Sequence, residues 1–442
     1  MKKYIISCGL LFVCLCSQAQ GKWTLRQCVD YAVLNNIEIK QQSLDVKNSE
    51  INLSSSKNSR LPDLSASLGQ SFSFGRSTLG TNVSEAVNSS GSSFSVSTSI
   101  PVFTGFRIPN QIKADELALQ ASMEGLKKAR ENLELQVVSL YLDVLFKKEL
   151  LKIYREQAGT GKLQVERTNM LVEAGKVPES QLYDIKAQLA KDELNVTMAE
   201  NDLALSLLNL SQLLNLPSTD AFDVEEPKLD NMADNNLGSV LPPAQVFRMA
   251  LAVKPHIKEA EYKLESGKKN LKVAQSAYWP TLGFSAGYST SYQSVSGQDN
   301  PGFGKQIKDF GREYLSFSLS IPVFNRFETR NRVRSARLNI ESLNLALDNV
   351  KLALYKEIQQ AYQSAVAAQA KYNSTIKAYE AADESFKYAR ERYDAGKSTV
   401  FEYNEAQTKL VTGKSERIQA KYDFIFRAKI LDFYQGKEIN IE

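Results

Sequence analysis

The sequence predicts an α+β membrane protein built as two tandem structural repeats. Each repeat sets a β-hairpin between helices, and the four strands can close a barrel only together with other copies of the chain. Three observations predict this. Landmarks recur at a nearly fixed distance, the strand segments alternate apolar residues with Ser and Gly, and two helical segments run for more than sixty residues.

The first twenty residues read as a secretory signal. Lys2 and Lys3 precede an apolar run from Tyr4 to Cys16, and Ser17-Gln18-Ala19-Gln20 supplies a small-residue cleavage region. The run is too short for a spanning helix. Cys8, Cys14 and Cys16 lie in it, so only Cys28 remains in the mature chain and no internal disulfide can form. Val13 and Leu15 stand where a lipid anchor on Cys14 or Cys16 would want a small residue, so lipidation is not expected. Cys28 reads as a small apolar residue on a helix face. Without Lys2 and Lys3 the chain carries 52 basic against 50 acidic residues, which argues against a nucleic-acid surface. No run of eighteen apolar residues follows the signal, so any membrane entry must be made by strands.

The pentapeptide SIPVF occurs at Ser99–Phe103 and again at Ser320–Phe324, 221 positions on. AGK occurs at Ala174–Lys176 and Ala395–Lys397 with the same offset. Leu61-Pro62-Asp63-Leu64 is echoed by Trp279-Pro280-Thr281-Leu282 at an offset of 218, and the helix Ala32–Leu44 resembles Ala250–Leu264. The three extra residues fall between the strands, where a loop absorbs them at little cost. The distance from the proline to the AGK glycine is 74 positions in both halves. A packed helix explains that constancy, since one inserted residue would rotate its whole apolar face. Each half therefore reads helix, Pro, strand, loop, strand, Pro, long helix, AGK turn, helix.

The strands have period two. Leu315, Phe317, Leu319 and Ile321 alternate with Ser316, Ser318 and Ser320, and Ser95, Ser97 and Ser99 interleave Phe94–Ile100. Leu64–Phe74 alternates likewise, with Gln70 as the exception, and so does Leu282–Tyr292. A polar face of Ser and Gly with hardly a charge fits a strand with its apolar face on lipid and its small polar face on a lumen. Phe72, Phe74, Tyr288, Tyr292 and Tyr314 are candidates for an interfacial aromatic girdle. Four strands leave open edges in hydrocarbon, so copies must pool them. Two copies give eight strands with a filled interior, and three give twelve, wide enough for water.

The helices Asn110–Glu173 and Glu328–Asp394 would be roughly 90–100 Å long if unbroken. Leu126, Ala129, Leu133, Val137, Leu140 and Val144 mark a coiled-coil seam in the first; Ile340, Leu343, Leu347, Val350, Leu354 and Ile358 mark one in the second. Gly159 and Gly161 are expected to bend or break the first helix. Gly175 and Gly396 are expected to end the long helices as left-handed C-caps. The division is then a signal at 1–20 and a first repeat at 21–214 with its hairpin at 64–102 and tip turn at 174–178. A linker at 215–243 follows, then a second repeat at 244–436 with its hairpin at 282–323 and tip turn at 395–399, and a tail at 437–442.

These features resemble the TolC-like outer membrane efflux protein family, the outer membrane factors of tripartite export systems. The resemblance runs from Trp23-Thr24-Leu25 to the last helix near Tyr434 and is most specific at RYDAGKSTVFEYNEA, Arg392–Ala406. Tyr393, Gly396, Val400, Phe401, Glu402, Glu405 and Ala406 fit the family pattern, with Glu where Asp is usual. Ser398 stands where some members carry Arg, with Lys397 beside it. The resemblance implies a homotrimer with one shared 12-stranded β-barrel in the outer membrane lipid and a long α-helical coiled-coil tunnel in the periplasm. It implies a periplasmic adaptor protein and an inner-membrane transporter of the RND or ABC type as partners, and no cofactor or nucleic acid. The pore constriction or gate would be formed by Glu402, Glu405, Tyr393 and Lys397, and adaptor docking by the tip turns at Gly175, Lys176, Gly396 and Lys397. In the first half Gln181 and Asp184 stand at the positions of Glu402 and Glu405, so the gate is assigned to the second.

Two Glu at i, i+3 are also the ordinary pattern of a solvated helix face, the alternative to a lumen-facing ring that would favour cations. The function expected is a passive exit duct. A periplasmic coiled-coil scaffold without a channel is the second reading, and the Ser-lined strands count against it. An enzyme is a distant third: His256 is the only histidine, and no phosphate loop or metal spacing occurs.

Overall fold

The computed structural model describes residues 22–79, 83–86, 88–218, 222–227 and 241–437. The expected signal at 1–20, with Cys14 and Cys16, lies outside the described residues, as do most of the linker and residues 438–442 of the tail. The order is α1 (Leu25–Asn35), α2 (Ile37–Asn58), β1 (Asp63–Ser73), β2 (Arg76–Leu79), β3 (Val83–Ala86), β4 (Ser89–Phe103), α3 (Arg107–Glu173) and α4 (Glu179–Leu214). After the linker come α5 (Pro243–Val253), α6 (Pro255–Ser276), β5 (Thr281–Val295), α7 (Phe303–Asp309), β6 (Arg312–Ser320), α8 (Glu328–Asp394) and α9 (Val400–Tyr434). The repeats are present as read, with two additions. The first hairpin carries the β2–β3 ribbon in its loop, and the second carries α7.

The chain forms two compact units that cut across the repeats. One comprises Asp45–Met123 and Lys258–Asp348; the other comprises Met1–Leu44, Glu124–Ile257 and Asn349–Glu442. The first unit holds the antiparallel sheet, in the order β1-β4-β5-β6. Pro101 lies inside β4 rather than beyond it, at a register shift between Pro101 and Phe103. A bulge tolerates a residue with no N–H to give the ladder. In the same unit Ser266 donates to the Ala114 carbonyl at 2.9 Å, and Leu343 approaches Gly267 so closely that a Cβ there would lie 2.6 Å from it.

The main core cluster of the second unit packs α1 and the end of α4 against the middle of α3. Cys28, Ala32, Val137, Tyr141, Val144, Leu210, Leu214 and Val224 are buried together. Burial pushes the Cys28 thiol up to about 12, so it packs as the apolar residue expected of it. Trp23 is bonded on both sides to the linker: its N–H donates to Asp223 and its carbonyl accepts from Glu225, each at 2.9 Å. A capping box between Thr24 and Gln27 starts α1. The seam residues Leu133, Val137 and Val144 of α3, and Leu347, Leu354 and Ile358 of α8, are buried. α3 runs unbroken through Gly159 and Gly161, so the expected break does not occur. At Gly161 the reason is close packing: a Cβ would stand 3.2 Å from Leu189 of α4.

Two short breaks separate α1 from α2 and α5 from α6. At the first, the Asn36 side chain accepts from the Glu38 and Ile39 N–H groups at 2.9 and 3.4 Å and donates to the Leu213 carbonyl at 3.0 Å. At the second, Lys254 is buried. Its ammonium lies 3.2 Å from Glu131 and 3.2 Å from the centroid of the Phe433 ring. Burial lowers its pKa, and Glu131 opposes that shift.

Candidate functional site

The register of the sheet assembles two chemically distinct faces. On one, Ser65 lies opposite Ser97 and Ser97 opposite Gly287; Ser99 lies opposite Ser285 and Ser285 opposite Ser316. Hydroxyls pair across the strands, Ser65 with Ser97 at 3.0 Å and Ser67 with Ser95 at 2.6 Å. On the other face Leu68 meets Phe94, Ala66 meets Val96, Phe284 meets Phe317 and Leu282 meets Leu319. The apolar face of β5 runs from Leu282 to Thr290, about 27 Å along the strand at ~3.4 Å per residue. That is of the order of the ~25 Å apolar band of outer-membrane barrels. Leu64, Leu68, Leu315 and Phe317 are each more than 70% exposed in the protomer. A face this apolar and this exposed needs lipid to cover it.

Aromatic residues bound that band. Tyr292 stands just beyond Thr290 and Tyr288 just inside it, both on the apolar face. Tyr314 is not on that face: it pairs with Gly287 in the Ser and Gly rows, and its ring lies where a side chain on Gly287 would be. The opposite boundary was missed by sequence reasoning. There Phe103, Phe106 and Trp279 form a chain of edge-on contacts, and Phe324 meets Phe327 at 5.5 Å. Both strand-to-helix turns take two consecutive left-handed residues, Gly105-Phe106 and Arg326-Phe327. The repeat of SIPVF extends to this turn and was the available signal.

At the other end of the band α7 lies on the apolar face. Phe303 packs on Tyr292 at 5.2 Å, and Thr290 donates to the Ile307 carbonyl at 2.7 Å. The last paired residues of β5 and β6 are Ser289 and Arg312. Beyond them the side-chain amide of Gln306 takes the place of a strand, accepting from the Gln293 N–H and donating to its carbonyl, both at 2.9 Å.

The tip turns match in backbone. Gly175 and Gly396 have φ of +66° and +68°. The backbone N–H of Lys176 donates to the Leu171 carbonyl and that of Lys397 to the Arg392 carbonyl, closing both helices in the same motif. The side chains differ. α4 begins at Pro178 with no side-chain cap, whereas Thr399 caps α9 by accepting from the Glu402 N–H at 3.2 Å. The Ser398 hydroxyl donates to the Glu402 carboxylate, and Arg392 approaches it at 3.7 Å. These contacts, that of Ser398 first, hold Glu402 below its ordinary pKa. A guanidinium thus reaches the acid from Arg392, across the turn, although position 398 is Ser. Glu405 pairs with Lys409 at 2.7 Å, and both acids are about half exposed.

Tyr393 packs on Tyr403 at 5.0 Å, and its hydroxyl accepts from the Gln181 amide at 3.0 Å. Beside it, Arg167 donates to Asp394 at 2.5 Å. The structure therefore gathers Tyr393, Lys397 and Glu402 about one turn and sets Glu405 a helical turn further on. Gln181, Arg167, Asp394 and Arg392 stand beside them, none of which was among the gate candidates expected from sequence. Among the described residues no group of His, Cys, Asp or Glu could hold a metal, and no helix is long and apolar enough to cross a membrane.

A profile described as outer membrane efflux protein matches residues 29–216 and again 246–431. The chain is 22% identical over 436 residues to outer membrane protein TolC of Escherichia coli (strain K12), covering 96% of this chain and 84% of that one. It is 21% identical over 327 residues to outer membrane efflux protein BepC of Brucella suis biovar 1 (strain 1330), covering 73% and 67%. Among solved structures, CusC superposes with a TM-score of 0.79 at 16% identity, over 94% of this chain and 92% of that one. The family profile fits each repeat separately, over the same helices and strands that the offset of 221 relates, and the chain belongs to the outer membrane efflux protein family.

Proposed function

We propose that this protein receives cargo from a periplasmic adaptor and an inner-membrane transporter of the RND or ABC type, which it meets through its tip turns, and that it is gated at the second turn. The protein is an outer-membrane efflux channel of a tripartite export system, located in the outer membrane and extending into the periplasm. It is a TolC-like trimer in which four strands from each protomer contribute to a shared barrel and the long helices to a tunnel. The conduit itself carries out no chemical step. The observation that carries the duct reading is the two-faced sheet, with Ser and Gly on one side and lipid-facing residues on the other.

For the gate, the contacts Gln181–Tyr393 and Arg167–Asp394 support a latch that holds the second hairpin to the first. Opening would break both. Three copies of Glu402 and Glu405 would bring six carboxylates to the constriction and favour cations. Planar-bilayer conductance tests both parts. Tyr393→Phe with Arg167→Ala is expected to raise resting conductance. Glu402→Gln with Glu405→Gln is expected to lower cation preference and block by trivalent cations. If the acid-neutralised trimer keeps wild-type selectivity, those carboxylates lie outside the conducting path.

A further inference from the structure

Helix α8 opens with a run of cations. Arg330, Arg332, Arg334 and Arg337 occupy its first three turns, and the earliest of them meet the positive end of the helix dipole. Arg332 has a local role. It pairs with Glu328 at 2.5 Å and lines a groove with Asn331, Ser335 and Asn270. The other three arginines are exposed and line no part of that groove. At 100° per residue they fall within roughly 60° of arc, on the side of the helix opposite to it. Among the described residues no carboxylate pairs with any of them.

The groove identifies the side on which they project. Thr281 lines it, and Thr281 belongs to the face that carries Gly283 and Ser285. The arginines therefore stand on the side of the apolar, lipid-covered face. They also follow directly on its aromatic boundary: the Arg330 guanidinium lies 5.8 Å from the Phe327 ring centroid, and Phe327 touches Phe324. Phe324 and Phe327 are 71% and 57% exposed. In the first repeat the matching positions are Pro109, Lys113 and Glu116, and there the single cation is neutralised by its neighbour at 2.9 Å. The second repeat alone carries an unneutralised face.

We propose that Arg330, Arg334 and Arg337 bind the phosphate groups of anionic phospholipid in the inner leaflet of the outer membrane, one such face on each protomer. Aromatic rings settle at the level of the headgroups, and the next turn of helix then lies against the phosphates. A guanidinium offers a planar fork of donors that fits a phosphate better than an ammonium does. The apolar face above supplies the surface for the acyl chains, so the ligand is an intact lipid rather than a free anion.

The test is retention of phosphatidylglycerol against phosphatidylethanolamine by the purified trimer, read by native mass spectrometry. Wild type is expected to retain phosphatidylglycerol preferentially. Arg330→Gln with Arg334→Gln and Arg337→Gln should lose that preference by a factor on the order of a hundred. Arg332→Gln, on the opposite side of the same helix, should keep it. Equal retention by the triple variant overturns the proposal, as does equal loss in Arg332→Gln. Full displacement by millimolar inorganic phosphate would mark a free-anion site and overturn the lipid assignment. If the triple variant does not assemble, the salt dependence of wild-type retention decides. Preference for phosphatidylglycerol must fall as salt rises, and a salt-independent preference rejects the arginines as its source.

Discussion

The two repeats trace the same path with different chemistry at matched points. Where the short helices break, Asn36 caps the next helix with its amide, and Lys254 buries an ammonium between Glu131 and Phe433. Where strand turns into helix, the first left-handed residue is Gly105 in one repeat and Arg326 in the other. Where the tips double back, Gln181 reaches across to Tyr393, while Glu402 is held by its own turn. Backbone path is set by helix period and by the sign of φ, and several side chains satisfy either. What the side chains change is how strongly each point is held and what it responds to.

The strand-to-helix turns should separate the repeats most. A Cβ on Gly105 would lie 2.5 Å from the Ser276 carbonyl and 2.7 Å from Trp279 Cβ, with φ at +62°. Gly105→Ala is expected to cost about 3 kcal/mol through overpacking and left-handed strain together. Arg326→Gly is expected to gain ~1 kcal/mol, since it relieves the same strain where a side chain already fits. Trimer yield and the temperature at which the trimer dissociates measure both, and a shift of the same sign in the two would erase the distinction.

The helix breaks come next. Lys254→Ala removes a desolvated cation–π contact and the packing of a long stem, about 2 kcal/mol. Asn36→Ala removes a cap, ~1 kcal/mol. Denaturant midpoints of the two variants rank them, and an equal cost would mean that the buried ion pair adds nothing beyond a cap.

The tips give the smallest effect, and it depends on pH. Glu402 titrates below its ordinary value of 4.5. Its contribution is therefore complete above that value and is lost as pH falls through the lower, folded one. The protection factor for amide exchange near Glu402, taken against the intrinsic rate at each pH, should fall in acid, while that near Gln181, which does not titrate, should stay constant. Ser398→Ala removes the largest cause of the shift and should narrow the difference between the tips.

The architecture was legible because its signals are periodic. Alternation along Leu315–Ile321 places each residue on a face, and a seam such as Leu133, Val137, Val144 is written along one helix. The β2–β3 ribbon and α7 are too short to show a period. The contacts between the two tip hairpins were illegible for a different reason. Gln181 and Tyr393 lie 212 positions apart, and Arg167 and Asp394 lie 227 apart, so no local spacing encodes either contact. Arg392 was nearer, but it reaches Glu402 only because the turn at Gly396 folds back. The break expected at Gly159 and Gly161 shows the converse. At Gly161 the glycine lets α3 pass close to Leu189 of α4, and sequence does not tell closeness from flexibility.

The amide of Gln306 has a consequence for the order in which the channel is built. The four-stranded sheet of a lone protomer has two edge strands, β1 and β6, that must wait for neighbours. Because β5 runs on to Val295 past the start of β6, its end would offer a third, and any extended segment could be captured there. Gln306 closes that end from within the chain before another copy arrives. The open edges that remain are then those whose joining completes a ring, and growth stops when the last is used.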